Sequence, residues 1–76
     1  MDASSLFEWS GSRVSEPAPA FAALADPARL AVLRALQRGT TCVCELAPSL
    51  GMAPNLLSYH LRILREAGLV QGTKRG

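Results

Sequence analysis

Apolar residues recur at helical spacing along most of this chain, with polar and charged residues between them. The clearest case follows Asp26 and Pro27, a pair that suits the N-cap and the first position of a helix. Gly39 supplies the stop. Between these signals, four apolar residues form the buried stripe: Leu30, Val32, Leu33 and Leu36. Three arginines lie on the polar side: Arg29, Arg34 and Arg38. We interpret that side as a solvated basic face.

A shorter helix is predicted immediately ahead of this one. Ser15 can cap it, and Pro17 and Pro19 are tolerated in a first turn, where the missing N–H would have no intrahelical partner anyway. Phe21 and Leu24 are then expected to face the core.

The first 15 residues are rich in Ser and Gly and show no clear hydrophobic period. We predict a flexible N-terminal arm over residues 1–15, followed by a single domain over residues 16–76. An alternative remains open, in which Phe7 and Trp9 dock on the domain or on a second subunit.

Two further helices separated by a short turn are predicted in the second half. The first begins near Thr40 and Thr41 and ends at Gly51, and the second covers residues 54–67. Three leucines share the buried face of the second helix: Leu57, Leu61 and Leu64. The opposite arc collects polar residues: Asn55, Ser58, Tyr59, Arg62, Arg65 and Glu66. This is the pattern of a helix-turn-helix, in which the second helix contacts DNA.

Charge is distributed unevenly along the chain. Residues 1–28 hold four acidic side chains against one arginine, a net charge of −3, whereas residues 29–76 hold seven cations against two carboxylates, a net charge of +5. After a predicted short strand at residues 69–71, Lys74 and Arg75 lie in a predicted cationic hairpin turn. The basic part coincides with the predicted helices, which favours a polyanionic partner.

Length and composition narrow the class of protein further. A chain of 76 residues with 49% hydrophobic residues forms one domain at most, and so small a core gains stability from dimerisation. Its apolar runs are shorter than the roughly 20 residues that a membrane span requires, and the N-terminal segment lacks the basic start of a signal peptide. We therefore expect a cytoplasmic protein in a reducing compartment.

The two cysteines, Cys42 and Cys44, lie one residue apart at the predicted start of a helix. A helix N-terminus favours the thiolate, and thiolates select soft ions. Three alternatives stay open: a thiol redox or persulfide switch, an enzyme with His60 as base, and half of a zinc site. A disulfide between cysteines only two positions apart would close a small, strained ring, which argues against a direct bond between them. We interpret His60 as a packed histidine, and two cysteines with one distant histidine are too few for a closed zinc site.

Three segments of the sequence resemble the ArsR/SmtB family of metal-responsive repressors. They are AALADPARL at residues 22–30, CVCELA at residues 42–47 and LSYHLRILREAGLV at residues 57–70. The resemblance implies a mostly α-helical, winged helix-turn-helix protein that binds operator DNA as a homodimer until an inducer binds. The return strand of the wing and the C-terminal dimerisation helix of that family have no counterpart in the sequence, so the fold is expected to be truncated within the wing. Either the 76 residues are a fragment, or dimerisation rests on the first helix and the arm.

The same resemblance implies roles for individual residues. Cys42 and Cys44 match the family's thiolate ligands, with arsenite or antimonite as the expected inducer and cadmium or lead next. Some arsenite sensors have a third sulfur where Ala47 stands here, so a third ligand would be a small thiol, would lie elsewhere or would be absent. Six residues are expected to contact DNA: Asn55, Ser58, Tyr59, Arg62, Lys74 and Arg75.

Overall fold

The structure is a computed structural model that describes residues 6–10, 17–39 and 41–73. These ranges contain seven elements: β1 (Leu6–Trp9), α1 (Pro17–Ala23), α2 (Pro27–Leu36), β2 (Thr41–Cys42), α3 (Val43–Leu50), α4 (Pro54–Glu66) and β3 (Val70–Thr73). Four helices packed with a small antiparallel sheet confirm the predicted winged helix-turn-helix class. Lys74 and Arg75 of the predicted hairpin turn lie outside the described residues.

β1 is the central strand of the sheet, whose order is β2-β1-β3 with both neighbours antiparallel to it. Leu6 pairs with Cys42 on one side and with Thr73 on the other. The next residue, Phe7, is only 1% exposed and belongs to the hydrophobic core. The sheet therefore joins three segments that lie far apart in the sequence.

The predicted flexible arm is wrong for residues 6–10. Besides the strand pairing, the backbone N–H of Ser10 donates to the carbonyl of Leu69 at 2.8 Å, and its hydroxyl donates to the carbonyl of Gly68 at 3.1 Å. These bonds anchor the segment to the chain just after α4. The alternative in which Phe7 and Trp9 dock on the domain is confirmed for Phe7, whereas Trp9 is 40% exposed. The rest of the arm lies outside the described residues.

β3 is longer than the strand predicted at residues 69–71, because it continues through Gly72 and Thr73, which were expected in the hairpin turn. Its partner is β1, and the phenyl ring of Phe7 lies directly over Gly72. A Cβ atom at Gly72 would stand 3.2 Å from Cε1 of Phe7. Glycine thus allows the ring to approach the strand closely.

The start of α2 is confirmed. The carboxylate of Asp26 accepts hydrogen bonds from the backbone N–H groups of Ala28 at 2.8 Å and Arg29 at 3.4 Å, and Pro27 takes the first helical position. Three of the four predicted stripe residues are buried: Val32, Leu33 and Leu36. The prediction that Leu30 is buried is wrong, since its side chain lies at the exposed edge of the stripe.

α1 is confirmed as a short helix, but its inward face is not the predicted one. Ala20 and Ala23 are buried, Leu24 is partly buried, and Phe21 is 73% exposed. Alanine lets α1 lie close to its neighbours, and Phe21, one residue after Ala20 and therefore rotated by about 100° around the axis, points to solvent. The predicted cap Ser15 lies outside the described residues.

The predicted basic face is solvated at Arg34 on α2 and at Arg38, just after the helix, but not at Arg29. The Nε–H of Arg29 donates to the carbonyl of Ala23 at 2.6 Å, and its guanidinium lies 3.7 Å from the carboxylate of Asp26. This arginine therefore joins the end of α1 to the start of α2.

The carboxylate of Asp26 is expected to contribute stability that is lost at acidic pH. The hydrogen bond from Ala28 lowers the pKa of its carboxyl below the ordinary value of 3.8; the N–H and charge of Arg29 and the charge of His60 act in the same direction, against the opposing effect of burial. Because the folded-state pKa is the lower one, the unfolded chain takes up a proton first, and the stability that the carboxylate contributes is lost as pH falls below about 4.

We expect the stability advantage of the wild type over Asp26→Asn, which keeps a capping oxygen without the charge, to shrink as pH falls from about 6 to about 2. Urea midpoints of both proteins across this range would measure it. A difference that stays constant with pH would show that the charge of Asp26 contributes nothing.

α3 begins later than predicted, because Thr41 and Cys42 form β2 first. Its end at Gly51 is confirmed, where a left-handed φ of 62° suits glycine and closes the helix. α4 then runs from Pro54, as predicted, and packs against both α2 and α3. The three leucines of its predicted core face are fully buried: Leu57, Leu61 and Leu64.

Candidate functional site

One concave surface on the outer side of α4 brings five predicted polar residues together: Asn55, Ser58, Tyr59, Arg62 and Arg65. We call this surface the α4 face. Tyr59 is 48% exposed and Ser58 is half-buried, while the other three are exposed. The leucines on the opposite side of the helix fix this orientation, since turning the helix would expose them to water.

The α4 face carries unpaired positive charge. Within the described ranges, neither Arg62 nor Arg65 forms an ion pair, and the single ion pair found there joins Arg29 to Asp26. With the amide of Asn55 and the hydroxyl of Tyr59, the face offers hydrogen-bond donors and acceptors beside two guanidinium groups. Such a surface suits phosphates and base edges.

The cysteine pair, Cys42 and Cys44, lies at the start of α3 as predicted. Cys42 is the N-cap residue, in extended conformation with φ −103° and ψ 163°, and is buried, whereas Cys44 is exposed in the first turn. The structure joins the two in a disulfide, with a Cα–Cα distance of 5.4 Å. The argument against a direct bond is therefore wrong: the change from strand to helix between them brings both sulfurs to the same side at a usual disulfide separation.

The described residues hold no cluster of three or more His, Cys, Asp or Glu side chains that would bind a metal ion. Ala47, one turn after the cysteine pair, is buried and apolar. The nearby carboxylate of Glu45 accepts a hydrogen bond from the hydroxyl of Thr41 at 3.3 Å. Once the disulfide is reduced, the two cysteine sulfurs are the soft ligands that this part of the chain offers.

A shallow apolar groove runs from the cysteine pair to the start of α4. Six residues line it: Val43, Cys44, Ala47, Pro48, Met52 and Pro54. We call it the cysteine groove. Met52 and Pro54 were not among the predicted site residues, because only the turn between α3 and α4 brings them beside Cys44. The groove places Cys44 and Pro54, the first residue of α4, on one continuous surface.

His60 is a packed histidine, as the sequence predicted. Its side chain is buried on α4, and its ring meets that of Tyr59 edge to face, with 5.3 Å between ring centroids. Among the side chains that the structure describes, its Nδ1 is the one buried polar atom without a hydrogen-bond partner. His60 thus packs behind the α4 face, and its exposed neighbour Tyr59 forms part of that face.

In the part of the chain that is described, no helix combines the length and the apolar character needed to cross a membrane.

The sequence model of the family described as "Bacterial regulatory protein, arsR family" matches residues 26–71, from the cap of α2 into β3. A transcriptional repressor SmtB homolog from Synechocystis sp. is 45% identical over 56 residues, which cover 74% of this chain and 42% of that protein. The arsenical resistance operon repressor of Bacillus subtilis is 46% identical over 57 residues, which cover 74% of this chain and 54% of that protein.

An uncharacterized HTH-type transcriptional regulator from Methanocaldococcus jannaschii is 37% identical over 65 residues, covering 84% of this chain and 73% of its own length. The chain therefore spans between 42% and 73% of the length of these three relatives. No solved structure shows a significant match.

Proposed function

Because this chain belongs to the arsR family of bacterial regulatory proteins, we propose that it is a transcriptional repressor that binds double-stranded operator DNA through α4. The observation that carries the proposal is the α4 face, where Arg62 and Arg65 are exposed opposite a fully buried row of leucines and have no ion-pair partner among the described residues. The relatives are named as transcriptional regulators and repressors, which supports a regulator rather than an enzyme. Because a bacterial repressor must reach its operator DNA, we propose that this protein acts in the cytoplasm.

In this proposal α4 enters the major groove. Asn55, Ser58, Tyr59 and Arg62 would contact base edges there. Asn55 and Arg62 are the best suited, because an amide pairs with adenine and a guanidinium with guanine through two hydrogen bonds. Lys74 and Arg75, which follow β3, would meet phosphates and hold the register.

Replacing Arg62 or Tyr59 with alanine is expected to weaken operator binding by about 1 to 3 kcal/mol each, with reduced discrimination between operator and random DNA. Each substitution removes a side chain from the α4 face and leaves the buried leucines untouched. Titration of labelled operator and scrambled duplexes at fixed salt would measure both effects.

Arg34→Ala is the matched control for Arg62→Ala, because it removes the same charge from an exposed position on α2. We expect it to weaken binding to the operator and to the scrambled duplex slightly and by the same amount, because it removes part of the salt-dependent attraction to phosphates. Unchanged specificity in both α4 variants would show that another element recognises the operator.

We further propose that the cysteine pair is the inducer site once its disulfide is reduced to two thiols. Arsenite or antimonite is the favoured inducer and cadmium or lead the next, since thiolates at a helix start select soft ions. The arsenical resistance operon repressor of Bacillus subtilis, as a relative, supports the choice of arsenic. The cysteine groove offers the route to DNA release, because it connects Cys44 to the start of α4. A coupling of about 1 to 3 kcal/mol would suffice.

The Cys42–Cys44 disulfide favours a second candidate function, a redox switch in which closing the disulfide is itself the signal. The two functions differ in what changes DNA affinity. In a redox switch, the oxidised and reduced proteins would differ in operator affinity without any metalloid. In a metalloid sensor, the reduced protein would release DNA only on addition of arsenite, and oxidation would block that response.

We also propose that the protein acts as a homodimer. Two recognition helices placed about one DNA turn apart would contact both halves of a symmetric operator. Phe21, 73% exposed on α1, is an apolar side chain available to a second subunit. Sedimentation of the wild type and Phe21→Ser should show a dimer that dissociates at higher concentration in the variant. Equal dissociation of both would show that α1 is not in the interface.

A further inference from the structure

Leu56 is an apolar side chain in the first turn of α4 that the fold leaves largely in solvent. It is 46% exposed and directly follows Asn55 of the α4 face. We propose that Leu56 recognises thymine, by packing against the C5-methyl group of one thymine in the major groove of the operator. The inference rests on the proposed DNA binding by α4 and adds the feature of the base that this residue recognises.

The core of the protein does not use this side chain. Leu57 and Leu61 of the same helix are fully buried, and Ile63 is partly buried against the core. Within the part of the chain that the structure describes, Leu56 belongs neither to the core cluster nor to the residues packed against it. A single exposed leucine is ordinary on a protein surface, so the argument depends on where this one lies.

The position of Leu56 on α4 is the first argument. It is the third residue of a helix of 13 residues, and a recognition helix contacts base edges mainly with its N-terminal residues. At a rise of 1.5 Å per residue, Leu56 lies about 14 Å along the helix axis from Arg65. Leu56 therefore belongs to the end of α4 that approaches the bases, whereas Arg65 at the opposite end is suited to phosphates.

The neighbouring side chain of Tyr59 is the second argument. Residues three apart on a helix are surface neighbours, so Leu56 lies beside Tyr59. The ring of Tyr59 is 48% exposed and is held from behind by its edge-to-face contact with the buried ring of His60. The start of α4 thus presents a leucine side chain next to an aromatic ring, an apolar surface at the flank of the polar α4 face.

The chemistry of the base edges selects thymine as the partner. In the major groove, hydrogen-bond donors and acceptors line every base pair, and the C5-methyl group of thymine is the apolar group among them. A leucine side chain has no donor or acceptor, so against a polar edge it would displace water without replacing its hydrogen bonds. Against the methyl group it removes apolar surface of both partners from water.

The test uses the full chain with a phosphine reductant, without added metal ions, and a duplex that the chain selects from a random-sequence library at fixed salt. Each thymine of that duplex is replaced singly by uracil, which lacks the C5-methyl group and keeps the hydrogen-bonding groups. Replacing the thymine that contacts Leu56 should weaken binding about fourfold, the effect of one buried methyl group.

Substitutions of Leu56 assign that effect to its side chain. Leu56→Ala and Leu56→Ser both remove the apolar contact, so the same uracil replacement should weaken their binding less than about 1.5-fold. Leu56→Met keeps an apolar side chain of similar size and should retain most of the wild-type effect. Thermal melts identify a variant that fails to fold, and the other truncated variant then decides.

Leu30→Ala is the matched control, because Leu30 is a second exposed leucine but belongs to α2. It should keep the full preference for thymine over uracil. An equal loss of that preference in Leu30→Ala and Leu56→Ala would show that the preference does not depend on a contact at the start of α4, and the inference would be wrong.

The remaining outcomes separate this inference from the proposed function. If the chain selects no preferred duplex, the proposed operator recognition fails and the inference fails with it. If a preferred duplex emerges but no uracil replacement weakens binding, or the loss persists unchanged in the folded truncated variants, the thymine contact is wrong and DNA binding through α4 stands. A loss at one thymine that disappears in Leu56→Ala and Leu56→Ser and remains in Leu56→Met supports the inference.

Discussion

Replacing Cys44 with serine is expected to produce a repressor that binds its operator normally and no longer releases it on addition of arsenite, antimonite, cadmium or lead. Serine at this exposed position of α3 leaves the α4 face untouched and removes one of the two proposed ligands. A single remaining thiolate cannot chelate the ion, so the coupling between ligand and DNA binding is lost. Operator titrations with and without each ion, in the presence of a phosphine reductant, measure the change.

Glu45→Gln is the matched control, since Glu45 is the exposed neighbour of Cys44 in the first turn of α3 and contains no sulfur. This variant should release DNA as the wild type does. If Cys44→Ser also responds to all four ions with unchanged affinity, the cysteine pair is not the inducer site, and the ligands must be sought elsewhere.

Local signals explain why most helices were predictable from the sequence. Asp26 and Gly51 each contribute a backbone preference or capping bond that acts over a few residues, so their effect does not depend on the rest of the fold. Leu57, Leu61 and Leu64 repeat at helical spacing, which determines the buried side of α4 and, by opposition, the α4 face.

The sheet was not predictable in the same way. Leu6 pairs with Thr73 across almost the whole chain, and no local pattern indicates which segments will meet. β1 contains four residues, too few to show a clear alternation, and Phe7 alone points into the core. The same limit applies to Phe21, because only the close packing of α1 reveals that alanine rather than phenylalanine faces inward.

The candidate site also combines features that were predictable from the sequence with features that depend on the tertiary structure. Cys42 and Cys44 were identified because two cysteines so close together at a helix start are chemically distinctive. Their disulfide and the groove beside Cys44 depend on a strand-to-helix transition and on a turn that places Met52 and Pro54 near them. These features are tertiary, so no local sequence pattern indicates them.

Phe7→Ala is expected to destabilise the fold by about 3 to 5 kcal/mol, the cost of removing a fully buried aromatic side chain and leaving a cavity. The ring is 1% exposed and packs against Gly72 of β3. It therefore joins the central strand to the core and to the strand that leads towards Lys74 and Arg75. Small domains are stable by only about 5 to 15 kcal/mol, so a large fraction of the stability would be lost. Urea unfolding followed by circular dichroism measures the loss.

Trp9→Ala provides the comparison within the same strand, because Trp9 pairs with Val70 but is 40% exposed. We expect a smaller loss, about 1 kcal/mol, since less apolar surface leaves the interior. The contrast between the two variants tests β1 itself rather than the general sensitivity of a small domain. If Phe7→Ala is no less stable than Trp9→Ala, residues 6–10 do not form the central strand, and the sheet must be closed by another segment.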